Sequence, residues 1–211
     1  MKKYIFGCGG LIILLVLITL IGGCGSYNRL VGLSQNVNSK WADVQNVYQR
    51  RADLIPNLVQ TVSGAANFEK STMVEVTQAR ASVGQVKIDP TKAPSDPEQL
   101  KKYQQAQDQL SGALSRLLVV AEKYSELRAT ANFRDLQTQL EGTENRIAVE
   151  RRNFNQAVQE YNTVAQRFPG VIFARIFGYT PKPYFQATAG SETPPKVNFD
   201  FGKPTATPEK P

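Results

Sequence analysis

The chain has 211 residues, with 25 Lys and Arg against 18 Asp and Glu for a formal net charge of +7, no histidine, and two cysteines, Cys8 and Cys24. With no imidazole and no thiol beyond Cys24, Ser-His-Asp and Cys-His catalysis, His-bearing metal sites and thiolate zinc clusters in the body of the chain are excluded. The mild cationic excess suits anionic partners such as lipid headgroups or acidic polymers, but no basic run marks a nucleic-acid arm.

The first predicted element is apolar. Lys2-Lys3-Tyr4 precede an uncharged stretch from Ile5 to Gly23, with its apolar core at Leu11 to Leu20. At about 1.5 Å per residue this run is long enough to cross a bilayer as a helix. Lys2 and Lys3 before it, with only Arg29 close behind, leave the N-terminus in the cytoplasm and the remainder exported. A second reading stands beside the uncleaved anchor. Ile21-Gly22-Gly23-Cys24 resembles a lipobox and Leu11–Leu20 suits the apolar region of a signal peptide, which makes Cys24 a candidate for lipid attachment. In both readings residues 1–26 hold the chain at a membrane.

From Tyr27 to about Val62 apolar residues return in alternating three- and four-residue steps. One seam is Val37, Val44, Arg51, Leu58 and Ala65, and its companion is Trp41, Tyr48, Ile55 and Val62. Two adjacent stripes with seven-residue spacing describe a helix packed lengthwise against others. Pro56 lies inside the pattern and predicts a kink, because its ring crowds the carbonyl of Ala52. A second helix is expected from about Asn67 to Val83, with Asn67 as N-cap, Glu69 in the first turn, and Met73, Val76 and Val83 as its apolar face. Gly64 leaves open whether these two helices are continuous.

Gly84 to Glu98 holds three prolines and reads as a loop ending in Asp96-Pro97, an N-cap followed by proline at the first helical position. The third helix carries Tyr103, Leu110, Leu117 and Tyr124 on one stripe and Leu100, Gln107, Leu114 and Ala121 on the next. The register then jumps, which predicts a break between Glu126 and Asn132 with Thr130 or Asn132 as the new cap. The fourth helix has a stripe of Phe133, Leu140, Ile147, Phe154, Tyr161 and Phe168, and Phe168-Pro169-Gly170 ends it. Val171 to Phe177 is expected to fold back on the bundle and Tyr184-Phe185 to dock. The stretch 186–211 is a Pro- and Thr-rich tail expected to be disordered.

Ordered blocks along the chain resemble the LemA family. They are Trp41-Ala42-Asp43-Val44, Tyr48 to Val59, Glu75 to Ala81, Asn132 to Gln137, Leu140 to Ile147, Tyr161-Asn162-Thr163, Phe168-Pro169-Gly170 and Gly178 to Phe185. Ser125 departs from the family, which often has proline after the tyrosine there. The resemblance implies an all-α fold, an N-terminal transmembrane helix followed by an antiparallel bundle of three to four long, coiled-coil-like helices over residues 27–185. It implies no reaction.

Among the polar residues, Arg50, Arg51, Arg151 and Arg152 form two conspicuous pairs. Arg51 and Arg151 occupy seam positions, and Glu144 lies one heptad before Arg151. Two readings remain: a buried polar layer that fixes helix register, or an anion-binding groove. Glu144 cannot reach Arg151 in the simple one-turn manner, so it is expected to face Arg51 on the first helix. Asn57, Asn145, Asn155 and Asn162 are expected to bridge or cap helices. Glu141 and Glu144 share a face, yet no nucleophile, cofactor motif or pocket-forming loop accompanies them. The expectation is a non-enzymatic scaffold of the cell envelope that binds a protein partner, without cofactor, metal or nucleic acid and of open oligomeric state. The alternative is a module for anionic lipid or cell-wall polymer.

Overall fold

The computed structural model describes the backbone of residues 2–65 and 69–187, with side chains from Gly23 onward except that of Cys24. Six helices follow in order: α1 Lys2–Ser63, α2 Lys70–Gln85, α3 Pro97–Ala121, α4 Ser125–Ala129, α5 Ala131–Gln166 and α6 Gly170–Ile176. The protein is all-α, with no strand among the described residues. The side chains from Ile5 to Gly22, Cys24, the cap residue Asn67 and the tail from residue 188 lie outside the described residues. Among those described, no helix is long and apolar enough to cross a membrane.

The four longer helices alternate in direction. Trp41 of α1 meets Phe154 of α5, while Arg51 further along α1 meets Glu144 earlier on α5, so the two run antiparallel. The principal packing pairs are α1 with α5 and α2 with α3. The seven-residue stripes explain why. Trp41, Tyr48, Ile55 and Val62 on α1, Leu100, Leu114 and Ala121 on α3, and Phe133, Leu140, Ile147, Phe154 and Tyr161 on α5 are all buried. Each full burial of a large apolar side chain contributes about 1.5–3 kcal/mol. That sum exceeds the local cost of Pro56, and α1 stays helical through it.

The ends of the elements depart from the expectations in several places. α1 stops at Ser63, with Gly64 in a turn directly after it, and α2 starts at Lys70. Glu69, expected inside the first turn of α2, occupies its N-cap position and makes no side-chain cap bond. α3 ends at Ala121 rather than running on through Tyr124, and α4 fills the expected break, so the chain turns twice. Thr130 stands at the N-cap of α5, but its hydroxyl donates backward to the Leu127 carbonyl at 2.7 Å instead of capping the helix. Asp96 does cap α3, its Oδ1 accepting from the Glu98 amide at 3.0 Å.

Phe168 departs most from the stripe. It is 79% exposed, because α5 ends at Gln166 and the following turn carries the ring outward before α6 begins. α6 packs on α1 and α5 through Ala174, and the extended segment beyond it returns along the bundle and buries Phe185. The α2–α3 loop also lies on α1, with Trp41 Nε1 donating to the Asp89 carbonyl at 2.9 Å.

The core comes in two parts. One cluster gathers Leu30, Val37, Trp41, Val44, Tyr48, Tyr103, Ile147, Phe154 and Phe185. The other gathers Ile55, Leu58, Val62, Leu110, Leu117, Phe133 and Leu140. Between them, at the level of Arg51, Gln107 and Thr143, the buried side chains are polar.

Candidate functional site

The polar layer is built from α1, α3 and α5. Arg51 sits one turn beyond Tyr48 on α1 and is 1% exposed. Its Nη1 donates to Glu144 Oε2 at 2.9 Å and to Ser111 Oγ at 2.6 Å. Its Nη2 donates to the backbone carbonyl of Gln107 at 3.3 Å and also to the Gln107 side-chain oxygen. Ser111 Oγ lies 2.9 Å from Glu144 Oε1, so the carboxylate receives from both helices facing α5. The Arg51 Nε is buried without a hydrogen-bond partner among the described residues. Glu144 is half exposed, so the ion pair has a buried cation and a wet anion.

Arg151 forms the adjoining half of the layer. Its Nε donates to the Tyr48 hydroxyl at 2.6 Å and its Nη2 to Asp108 Oδ1 at 2.8 Å. The guanidinium also lies over the Tyr48 and Phe185 rings, 5.6 and 5.3 Å from their centroids. Tyr48 is thus flanked by two guanidiniums, since Arg51 Cζ is 5.4 Å from the same ring centre. Burial pushes the Tyr48 phenol well above its ordinary pKa, although both arginines pull the other way. Burial also opposes the charge of Arg151, but Tyr48 and Asp108 outweigh it and hold its pKa above the usual value.

The remaining candidates lie elsewhere. Arg50 and Arg152 are exposed and have no ion-pair partner among the described residues. Glu141 is exposed and accepts from Gln137 on its own helix at 3.0 Å. Asn57 and Asn145 are exposed. Asn155 and Asn162 do not bridge helices; they clamp the extended segment beyond α6. Asn162 exchanges two hydrogen bonds with the Lys182 backbone, both 2.8 Å, and Asn155 does the same with Phe185 at 2.9 Å. Gln104 of α3 grips the Gln186 backbone in the same two-bond manner, at 2.8 and 3.1 Å. Each amide thus imitates a neighbouring strand. Tyr161 adds a bond to the Thr180 carbonyl at 2.9 Å. Asn155 and Asn162 stand one heptad apart, each directly after a core aromatic, and that spacing is the trace this clamp leaves in the sequence.

Chemically, the layer holds two carboxylates, each engaged by an arginine. No cluster of potential metal ligands occurs among the described residues. The Arg51 donors already serve Gln107, Ser111 and Glu144, so an incoming anion would have to displace Glu144. The arrangement is suited to fixing the register of three helices.

The LemA family profile matches residues 40–199. The chain is 28% identical over 185 residues to magnetosome protein MamQ 2 of Paramagnetospirillum magneticum, covering 80% of this chain and 67% of that protein. It is 26% identical over 183 residues to magnetosome protein MamQ of Magnetospirillum gryphiswaldense, with coverage of 80% and 67%. Against protein LemA of Metamycoplasma hominis identity is 24% over 144 residues, covering 68% of this chain and 61% of that protein. The buried stripes from Trp41 onward, the Arg51–Glu144 layer and the clamped segment up to Phe185 all fall in the matched range, and the chain belongs to the LemA family.

Proposed function

We propose that this protein is a membrane-tethered helical scaffold whose bundle binds another protein of the cell envelope and performs no catalysis. One observation carries the reading. The uncharged run from Ile5 to Gly23 and the first bundle helix belong to the single helix α1, Lys2–Ser63. A tether of that kind holds the bundle at a fixed height above the bilayer, which a scaffold needs and a freely diffusing enzyme does not. The N-terminus faces the cytoplasm and the bundle is exported, following Lys2 and Lys3. The relatives are named for the magnetosome and for LemA, and none of these names specifies a reaction.

Alkaline carbonate extraction of membranes carrying the full chain tests the tether, which is expected to stay with the pellet. Release into the supernatant would sink it. Labelling with a palmitate analogue separates the two forms of attachment, since label lost in Cys24→Ala identifies a lipid anchor instead of an uncleaved helix. Partner capture at low and high salt is expected to survive screening, as a largely apolar protein interface should.

A further inference from the structure

The end of the bundle where α1 emerges carries a concentration of exposed apolar side chains among the described residues. Of the nine large hydrophobic residues exposed among those described, five are Tyr27, Phe168, Ile172, Ile176 and Phe177. Phe168 is 79%, Ile176 67%, Phe177 50% and Ile172 48% exposed. They sit together because α6 is seated at the foot of the bundle. The Phe173 ring lies so close to Gly23 that a β-carbon there would be 2.9 Å from it. Tyr27, one turn along α1, stacks obliquely on Phe177 with ring centres 4.8 Å apart. Ile172 and Ile176 lie one turn apart on the opposite side of α6 from the buried Ala174.

The charges in the two segments that build this patch have one sign. Arg29, Arg167 and Arg175 are exposed beside it. Neither segment that builds it contains an acidic residue: there is no Asp or Glu in residues 1–42 or 161–191. Exposed aliphatic and aromatic side chains beside arginines, in segments without acidic residues, match the headgroup boundary of a bilayer containing anionic lipid. Gly23, near the end of the uncharged run, touches α6, so the patch lies where that run would leave the bilayer.

We infer that α6, with Phe168, Phe177 and Tyr27, forms a collar that dips into the interface of the membrane holding the N-terminal run. This rests on the tether reading. It adds a second contact that fixes the tilt of the bundle against the bilayer, where a single helix would leave it free to swing.

The test uses the full chain in vesicles of phosphatidylcholine and phosphatidylglycerol, with part of the lipid brominated near the top of the acyl chains. Ile176→Trp reports the collar. Val119→Trp, 61% exposed on α3 at the other end of the bundle, is the control, and the buried Trp41 gives the same background in both. Emission added at residue 176 is expected to fall by roughly half in brominated vesicles, as for a side chain at the headgroup–acyl boundary. Emission added at residue 119 is expected not to change. A chain that floats with the vesicles but shows equal quenching at both positions overturns the collar and leaves the tether standing. Blue-shifted but unquenched emission at residue 176 means that protein covers the patch, which also overturns it. A chain that fails to float with the vesicles overturns the tether, and the collar with it.

Discussion

A guanidinium at position 51 interrupts a stripe that is otherwise apolar from Val37 to Leu58, and it is held there by groups from two other helices. Burying such a charge is costly, and the cost is recovered only while its partners remain in place. Arg51→Ala removes the cation and leaves the Gln107 side chain without its donor, and is expected to destabilise the fold by about 3 kcal/mol or more. Glu144 is half exposed, so Glu144→Ala should cost less, and the coupling of the two in a double-mutant cycle should be about 1 kcal/mol. Strictly additive losses in urea unfolding would show that the pair does not act as a unit. This pair was legible in the sequence because opposite charges stood on two seams, Glu144 one heptad before another seam cation. Asp108, the partner of Arg151, was not: it lies on neither apolar stripe of α3, and only the turn of that helix beneath Arg151 brings it into reach. The amide clamps were missed for a related reason. Periodicity reports which face of a helix is buried, but not that an irregular segment is the partner buried against it.

At the scale of elements, helix interiors could be read closely, and so could the Asp96-Pro97 start of α3, but other helix ends could not, because they are set by turns whose partners are distant in sequence. α4 and the exposed Phe168 are both of this kind: the heptad spacing continues in the letters after the backbone has turned away. Two substitutions probe these features. Pro56 is exposed inside α1, at a position where the chain is already helical, so Pro56→Ala should restore a backbone hydrogen bond. A gain of about 1 kcal/mol is expected, and a loss on urea unfolding would mean that the helix needs the proline's bend. Gly170, the first residue of α6, is pressed against the Val164 backbone carbonyl, leaving no room for a β-carbon. Gly170→Ala should therefore cost about 1–3 kcal/mol by overpacking, and it should loosen α6 before the rest of the bundle. Hydrogen exchange that quickens in residues 170–176 and not in α3 would confirm the order, while uniform loss of protection would refute it.

For the molecule as a whole, the antiparallel all-α architecture follows from four long stripes joined by turns, but the pairing of α1 with α5 and of α2 with α3 does not, since every stripe offers the same apolar face. The polar layer supplies what the stripes lack. Shifting α5 by one turn along α1 would take Glu144 from Arg51 and Arg151 from Tyr48, leaving charges buried and unpaired. The layer also makes stability depend on alkaline pH in a direction that can be worked out. Tyr48 and Tyr103 are buried beside it, and burial raises both phenol pKa values above the ordinary one. A tyrosine in the unfolded chain ionises near about pH 10. The stabilising contribution of each buried phenol is thus fully present below that pH, and it is lost as pH rises toward the raised native value. Between those two values the unfolded state gives up protons that the native state retains, and each such tyrosine lowers stability by up to about 1.4 kcal/mol per pH unit. Tyr48→Phe removes the larger of these two contributions. It also removes the acceptor for Arg151 Nε and should cost about 1 kcal/mol near neutral pH. Its stability should nevertheless fall less steeply than that of the parent chain between pH 10 and pH 11, by about 1 kcal/mol over that interval. The measurement is urea unfolding at a series of alkaline pH values, with phenolate absorbance followed in parallel to show that native ionisation is delayed. Identical slopes in the parent and in Tyr48→Phe would mean that Tyr48 ionises freely in the native state, and that the layer is open to solvent at its centre.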